Sequence, residues 1–370
     1  MTDEKYMQVA LELARKAEGW TNPNPMVGAI VVKDGNIIGQ GFHEKYGQLH
    51  AERNAIANCR ESPEGATIYV TLEPCCHYGK TPPCTEAIID NKISRVVVGS
   101  KDPNILVAGK GIEILKQAGI QVNTGVLEKE CNEINKIFFH YIGEKKPFVA
   151  MKYAMTMDGK IAAYTGKSKW ITGETAREHV HKLRHKYTAI MVGIGTVLKD
   201  NPRLDCRLPN TKNPKRIICD TNLRIPLECQ IVNTAKDIET YIATATLDNE
   251  KIKKLTEAGC IVLQIPRSGD HIDLNILIQM LGKKGIDSIL LEGGGTLNYE
   301  ALSKGIVDYI FAYVAPKIFG GKDAITAVEG IGVENPETAI MLKNRKITTL
   351  GEDILIEHEV FKGVNKCLQG

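Results

Sequence analysis

Four residues between positions 50 and 84, His50, Glu52, Cys75 and Cys84, constrain the fold of this 370-residue chain more than any other feature. An imidazole and two thiolates suit Zn²⁺, and three protein ligands leave a fourth tetrahedral position for water, the arrangement of catalytic and not of closed structural zinc. Water in that position loses a proton near neutral pH. A carboxylate two positions after the ligand histidine is placed to take that proton and deliver it to a departing amine, as the glutamate does in nucleobase deaminases carrying H-x-E…P-C-x-x-C.

Local patterning brings these groups together. Residues 66–72, Ala-Thr-Ile-Tyr-Val-Thr-Leu, predict a buried strand that Glu73-Pro74 ends, so Cys75 sits at its C-terminal edge. Pro82-Pro83 ahead of Cys84-Thr-Glu-Ala-Ile-Ile predicts a helix start, and His50 opens a helical stretch over 51–59. Two helix N-termini would then face the metal and favour thiolate. Other readings stay open at this stage. Eight residues separate Cys75 from Cys84, where the common signature has two. Cys76 is a nearer ligand, Cys75 and Cys84 could form a disulfide or be unrelated core residues, and His77 could close a structural zinc site.

Composition fits an enzyme with more than one domain. A chain of 370 residues supports two or three cores at roughly 100 to 200 residues each. Lys plus Arg number 47 against 44 Asp plus Glu, a net charge of +3, so bulk electrostatics commit the chain neither to nucleic acid nor to a membrane surface. An editing deaminase acting on nucleic acid would share the zinc signature but calls for a basic, aromatic-lined groove, and aromatic residues make up only 6%. A non-catalytic zinc-stabilised binding module would leave Glu52 without a role. Residues 1–14 read as an amphipathic helix without a basic-then-apolar signal pattern, and no apolar stretch approaches a membrane span. Ten scattered cysteines form no disulfide framework. The expectation is a cytoplasmic, homo-oligomeric enzyme acting on a small molecule, with neither nucleic acid nor membrane as partner.

The chain divides near residue 146, giving expected domains of residues 1–146 and 147–370. The first part reads as a helix, strands at 29–33 and 37–42 about a turn at Asp34-Gly35, the helix after His50, strand 66–72 and the helix after Cys84. Strand 95–99, helix 111–118, strand 121–124 and a helix to 142 follow. This alternation predicts a three-layer α/β/α domain. Gly143-Glu-Lys-Lys-Pro147 is a polar break, after which strands resume at Phe148. The second part is also α/β, with strands expected at 188–192, 215–219, 230–233, 240–244, 261–265, 288–291, 309–314 and 354–358. Its helices are expected at 173–187, 248–258, 274–283 and 296–304.

Within it, Ser288-Ile-Leu-Leu-Glu-Gly-Gly-Gly-Thr-Leu-Asn-Tyr-Glu is a buried strand, a glycine-rich turn and a helix start. Glycines let backbone approach a phosphate and helix-start N–H groups bind anions, although the same run also serves a tight turn with no ligand. Val192-Gly193-Ile-Gly195-Thr196 follows another strand, but Leu198 occupies the last glycine position of G-x-G-x-x-G, so the standard dinucleotide fingerprint is absent. Nicotinamide binding would have to use a different fold.

These residues belong to longer segments with a known resemblance. In the first part they are Asn24-Pro-Met-Val-Gly-Ala-Ile-Val-Val, His50-Ala-Glu52, Thr71-Leu-Glu-Pro-Cys-Cys-His-Tyr-Gly-Lys-Thr-Pro-Pro-Cys84, Asp102-Pro-Asn and Val107-Ala-Gly-Lys-Gly111. In the second they are Lys152-Tyr-Ala-Met-Thr-Met-Asp-Gly-Lys-Ile-Ala162, Trp170-Ile-Thr, Asp200-Asn-Pro-Arg-Leu204 and Leu291-Glu-Gly-Gly-Gly295. Over essentially the whole chain the sequence resembles the RibD/RibG family of riboflavin biosynthesis, in which a pyrimidine deaminase is fused to a pyrimidine reductase. The wide cysteine spacing is typical of that family. Ile105 stands where a second proline often follows Asp-Pro-Asn, and Cys76 where serine is common. Neither is a proposed ligand, so these departures concern local loop geometry.

The resemblance implies a cytidine-deaminase-like N-terminal domain and a dihydrofolate-reductase-like C-terminal domain, with Zn²⁺ and NADPH as cofactors. It implies hydrolytic deamination of 2,5-diamino-6-(5-phosphoribosylamino)pyrimidin-4-one, then reduction of the ribosyl to a ribityl group, giving 5-amino-6-(5-phosphoribitylamino)uracil. By motif position it assigns zinc to His50, Cys75 and Cys84, proton transfer to Glu52, and substrate contacts to Asn24, His43 and Lys80. In the reductase it assigns NADPH to Ala154, Trp170, Thr196, Asp200, Thr221, Gly294, Gly295, Thr296, Leu297, Asn298, Tyr299 and Glu300, and substrate to Ser168, Arg184, Leu204, Arg207 and Glu292. Planar, permanently charged arginines suit a phosphate monoester, yet Arg184 lies in the basic stretch His181-Lys-Leu-Arg-His-Lys186, which also reads as a solvated helical face. Lys80 could instead be a solvated loop charge and His43 a surface residue, and Gly109 and Gly111 could form a phosphate cradle or a plain turn.

Overall fold

The computed structural model describes residues 1–79, 81–104 and 107–362. Lys80, assigned above to substrate, and Ile105 lie outside the described residues. The chain divides into two compact units, Met1–Lys145 and Lys146–Gly370.

The first unit runs α1 (Asp3–Arg15), β1 (Gly28–Lys33), β2 (Asn36–Phe42), α2 (Ala51–Ala57), β3 (Thr67–Leu72), α3 (Cys84–Asp90), β4 (Arg95–Ser100), α4 (Lys110–Gln117), β5 (Gln121–Thr124), α5 (Glu128–Ile134) and α6 (Lys136–Glu144). Its sheet is ordered β2-β1-β3-β4-β5. β1 is antiparallel to both neighbours, and β3, β4 and β5 are mutually parallel. Successive side chains of a strand face opposite sides, and here both sides are covered. Ala29, Val31, Ile68, Val70 and Val96 pack with Ala51, Ala55, Ile88, Leu115 and Phe138 from α2, α3, α4 and α6. Ile30, Val32, Tyr69 and Val97 pack with Tyr6, Met7, Leu11 and Cys131 from α1 and α5. The unbroken apolar strands thus signal a sheet buried on both faces, which is the expected three-layer α/β/α arrangement. One helix expected before residue 142 is two, α5 and α6, meeting at Asn135.

The second unit runs β6 (Phe148–Thr156), α7 (Glu174–Lys186), β7 (Ala189–Gly193), α8 (Ile194–Asp200), β8 (Lys215–Cys219), α9 (Gln230–Asn233), β9 (Thr240–Thr244), α10 (Asn249–Glu257), β10 (Cys260–Gln264), β11 (Arg267–Ser268), β12 (His271–Ile272), α11 (Leu274–Lys283), β13 (Ser288–Leu291), α12 (Gly295–Ser303), β14 (Tyr309–Ala315), β15 (Leu342–Leu350) and β16 (Asp353–Val360). A nine-stranded sheet is ordered β10-β9-β8-β7-β13-β6-β14-β16-β15. Neighbours from β10 to β14 are parallel, and β16 and β15 add on antiparallel. From β6 the chain builds outward through β7 to β10, then returns to insert β13 between β6 and β7. Such a reversal of strand order opens a crevice beyond the carboxyl ends of the strands.

One expected strand is a helix. Residues 230–233, Gln-Ile-Val-Asn, carry strand-forming side chains but make the single turn α9. The fully buried Arg216 guanidinium takes the carbonyls of Ile231, Thr234 and Ile238, and Gln230 is tied to Asn201, so tertiary hydrogen bonds override local propensity. The edge strand β15 was not legible because nearly all of its side chains are exposed. Among the described residues no helix is long and apolar enough to cross a membrane.

β2 passes α2 at close range, which seats the helix after His50 on the sheet. A Cβ on Gly39 would lie 2.3 Å from the Ala55 carbonyl oxygen, and one on Gly41 would lie 2.4 Å from the Ala55 amide nitrogen. Gly41→Ala is therefore expected to destabilise the first unit by about 1–3 kcal/mol, the usual range for overpacking, as a lower urea midpoint for that unit's transition. An unchanged midpoint would show that the helix moves aside freely.

Candidate active sites

In the first unit, β3 ends at Leu72, and Glu73-Pro74 deliver Cys75 to the carboxyl edge of the sheet. His50 is the N-cap of α2 and Cys84 the first residue of α3. Cys75 Sγ lies 3.4 Å and Cys84 Sγ 3.5 Å from His50 Nδ1. All three ligand atoms fall within 4.8 Å of one another, and among the described residues no further His, Cys, Asp or Glu joins them. Zinc bonds of about 2.0–2.1 Å to nitrogen and about 2.3 Å to sulfur, at a tetrahedral angle, set N and S about 3.5 Å apart. The donor set therefore fits one zinc ion as it stands. Cys76 and His77 stay outside it, and Cys75 and Cys84 are free thiols.

The surroundings hold these ligands in place. Arg53 donates to the carbonyls of Pro82 and Pro83 at 3.1 and 2.7 Å, fixing the turn before Cys84, and the Thr81 hydroxyl lies 3.5 Å from His50 Nε2. The hydrogen bond from Cys84, helped by one from His50, brings the Cys75 thiol down to about 4. The same contact and burial push Cys84 up, and Cys75 raises His50. Glu52 is 3% exposed, and burial together with the negative charge of Cys75 pushes its carboxyl up to about 7. A group that titrates there both accepts and releases a proton near neutrality.

Asn24 and His43 reach the same place. His43 is buried, not a surface residue, and burial lowers its imidazole. With Nδ1–H donating to the Leu49 carbonyl at 3.0 Å, Nε2 is left to accept from Asn24 Nδ2 at 3.3 Å. The His43 ring meets His50 edge-on, centroids 5.3 Å apart. Sequence reasoning missed Glu73. Its buried carboxylate accepts the backbone N–H groups of Asp102, Gly109 and Ile112 at 3.3, 3.0 and 3.3 Å, tying the segment after β4 to the one that bears Cys75. The Gly109 N–H is thereby taken, and a Cβ on Gly111 would lie 2.2 Å from the Pro74 carbonyl oxygen. Gly111 therefore answers to packing against the segment that bears Cys75, while Gly109 supplies a left-handed turn at φ +88°.

In the second unit a cavity of about 1010 Å³ opens beyond the carboxyl ends of β7, β8 and β13. That is the upper end of the roughly 300–1,000 Å³ of ligand sites. Every reductase residue assigned above lines it except Asn298 and Tyr299. Those two point elsewhere: Asn298 is fully buried and donates to the Ala327 carbonyl, and Tyr299 donates to that of Gly332. Their side chains hold the 327–332 segment and do not line the cavity. The glycine run is likewise explained mostly by packing. A Cβ on Gly293 would crowd Leu297 and Asn298, and one on Gly295 would lie 2.4 Å from Glu329 Cγ, whereas Gly294 faces open space.

The cavity floor carries concentrated charge. Arg184 grips Glu292 with two hydrogen bonds of 2.8 and 3.0 Å and donates a third to the Asp205 carbonyl. With 14% of its side chain exposed, it is not part of a solvated face. Lys152, a residue the motif contained but sequence reasoning did not single out, places Nζ 3.6 Å from the same carboxylate and 5.8 Å from the centre of the Tyr313 ring. Burial would raise Glu292, but the Arg184 and Lys152 cations outweigh it and hold the carboxyl at about 2. Burial lowers the Lys152 ammonium against the pull of Glu292. At the mouth, Trp170 is 61% exposed beneath the Arg177 guanidinium, 4.8 Å from the ring centre.

Comparison with known proteins finds a family model for part of each unit. Residues 1–100 match the family model of the cytidine and deoxycytidylate deaminase zinc-binding region, and residues 147–356 that of the RibD C-terminal domain. The riboflavin biosynthesis protein RibD of Actinobacillus pleuropneumoniae is 53% identical over 97% of this chain and 96% of its own. That of Escherichia coli K12 is 38% identical over 96% and 99%. Among solved structures, RibD of Acinetobacter baumannii superposes with a TM-score of 0.88 at 37% identity, covering 97% of this chain and 99% of that one. A Thermotoga maritima diaminohydroxyphosphoribosylaminopyrimidine deaminase and 5-amino-6-(5-phosphoribosylamino)uracil reductase does so at 0.84 and 39%, with the same coverage.

Two measurements follow from the geometry. Cys84→Ala is expected to weaken zinc binding by more than about 100-fold, beyond what loss of an outer-shell partner causes; metal analysis showing undiminished zinc would remove Cys84 from the ligand set. For Glu292, a carboxyl lowered from 4.5 to about 2 contributes about 3 kcal/mol of stability. That contribution is complete above pH 4.5 and fades as pH falls toward 2. Glu292→Gln, which also strands two buried cations, should lower the stability of the second unit by several kcal/mol at pH 7, with the gap to wild type narrowing over that acid window. A gap independent of pH would refute the ion pairing.

Proposed function

The chain belongs to the RibD family of bifunctional deaminase and reductase enzymes of riboflavin biosynthesis, and on that premise we propose how its own residues divide the two reactions. The first unit deaminates 2,5-diamino-6-(5-phosphoribosylamino)pyrimidin-4-one, a reading supported by the diaminohydroxyphosphoribosylaminopyrimidine deaminase named for the Thermotoga maritima relative. His50, Cys75 and Cys84 hold zinc, which when bound supplies the Lewis acidity that makes water acidic at neutral pH. Glu52 would take a proton from the attacking water and return it to the nitrogen that leaves as ammonia, so that the bond from the ring carbon to its amino group breaks and the water oxygen remains on that carbon as a carbonyl. Asn24 and His43 orient the pyrimidine, and Lys80 is a further contact by motif position.

The second unit reduces the deaminated product to 5-amino-6-(5-phosphoribitylamino)uracil. Ala154, Trp170, Thr196, Asp200, Thr221, Gly294, Gly295, Thr296, Leu297 and Glu300 bind NADPH, which when bound supplies a hydride. Ser168, Arg184, Leu204, Arg207 and Glu292 bind substrate. Opening a ribosyl ring to a ribityl chain requires a hydride at the anomeric carbon and a proton on the ring oxygen. Lys152, its acidity raised by burial and its place fixed by Glu292, is the proton donor we assign. Two attributes complete the reading. A cytoplasmic setting is consistent with nine cysteines among the described residues that form no disulfide. A homo-oligomer is consistent with β15 ending the sheet with Leu342 and Ile347 exposed.

One observation carries this reading: three ligand atoms from three separate segments meet within 4.8 Å, with the buried Glu52 beside them. The test incubates the zinc-loaded chain with the phosphoribosylated diaminopyrimidine, with and without NADPH, and identifies products by mass spectrometry. Without NADPH the deaminated ribosyl compound should accumulate, and with it the ribityl compound. Glu52→Gln should retain zinc and deaminate about 10²–10⁴-fold more slowly, the usual worth of a positioned acid and base. Undiminished ammonia release by that variant would exclude Glu52 from the chemistry.

A further inference from the structure

Asn135 stands between α5 and α6 and is 2% exposed. Its side-chain amide makes both bonds of a closed pair with one backbone residue 109 positions away: the Met26 N–H donates to Oδ1 at 2.8 Å, and Nδ2 donates to the Met26 carbonyl at 2.9 Å. Met26 lies outside any strand, in the segment before β1, so its N–H and C=O have no ladder partner and must be satisfied otherwise. Only an amide side chain offers one donor and one acceptor side by side to do this. The break between α5 and α6, where one continuous helix was expected, is what turns Asn135 toward that segment.

Met26 is two residues from Asn24, and the neighbouring anchors include Asn24 N–H to the Thr21 carbonyl at 2.8 Å, His43 N–H to the Val27 carbonyl at 2.9 Å and Gly28 N–H to the Thr71 hydroxyl at 3.2 Å. Beyond them lies the Asn24–His43 hydrogen bond and the edge of His50. We propose that Asn135 is a positioning residue of the deaminase, holding Asn24 against His43 through its paired hydrogen bonds to Met26. It touches no reacting atom and acts through Asn24. The proposal rests on the reading of Asn24 as a substrate contact.

The test is a double-mutant cycle on ammonia release by the full, zinc-loaded chain without NADPH, comparing wild type, Asn135→Leu, Asn24→Ala and the double variant. Asn135→Leu keeps the volume and removes both bonds. It is expected to raise KM for the diaminopyrimidine about tenfold, in keeping with the effect of a sub-ångström misplacement, with zinc content unchanged and kcat less affected. Asn24→Ala should raise KM as well, and the double variant should be no worse than Asn24→Ala alone. Should Asn135→Leu fail to fold, Asn135→Asp, which keeps the acceptor and loses the donor, completes the same cycle. Additive effects on KM, or a fall in zinc and kcat with KM unmoved, overturn the positioning role while leaving the Asn24 assignment standing. An Asn24→Ala variant with wild-type KM overturns that assignment and the inference with it.

Discussion

Parallel strands deliver all their carboxyl ends to the same edge of a sheet, and both candidate sites are built where that happens. There the strand ladder stops and backbone groups need new partners, while each following helix begins with N–H groups that no turn of its own can satisfy. The side chains that answer this demand also fix the loops. Glu73, one residue beyond β3, gathers three amides from the segment after β4 and from the start of α4. The backbone N–H of Cys84 points at Cys75 Sγ at 3.4 Å. Ligand placement is thus a by-product of satisfying chain ends, which is why residues from three segments meet without any of them being adjacent in sequence.

Two buried glutamates show how neighbouring charge either adds to the effect of burial on a carboxyl group or overrides it. Glu52 and Glu292 are both removed from water. Burial, reinforced by the negative charge of the Cys75 sulfur, raises Glu52 to about 7, so it can trade protons. Glu292 sits between two cations, falls to about 2 and stays charged. Loss of solvation penalises the ion in both cases, and the sign of the nearest charge reverses the outcome only for Glu292. The first group suits proton transfer, the second suits holding Arg184 and Lys152 in fixed places around a ligand.

Much of this was legible in the residues. The unbroken apolar runs at β1, β3 and β4 and the proline and glycine punctuation placed His50 and Cys84 at helix starts because these signals are local. Arg184 was ambiguous for the opposite reason: a basic helical stretch looks solvated until the partner 108 residues away is in place. Asn298 and Tyr299 followed the glycine run in sequence, yet helical geometry turns them from the cavity toward the 327–332 segment. Lys152 and Asn135 carried no periodic or spacing signal, since each matters through one long-range partner.

By itself the sequence determined the donor types, the two-domain alternation of strands and helices, and the family to which those segments belong, all properties of residue identity and near-neighbour spacing. Only the tertiary structure decided which cysteines converge, that Glu52 is desolvated, that Gly293 and Gly295 answer to packing partners, and that residues 230–233 coil around Arg216 and do not extend. Those outcomes depend on distances between segments far apart in the chain, and such distances are set when two faces of a sheet are buried at once.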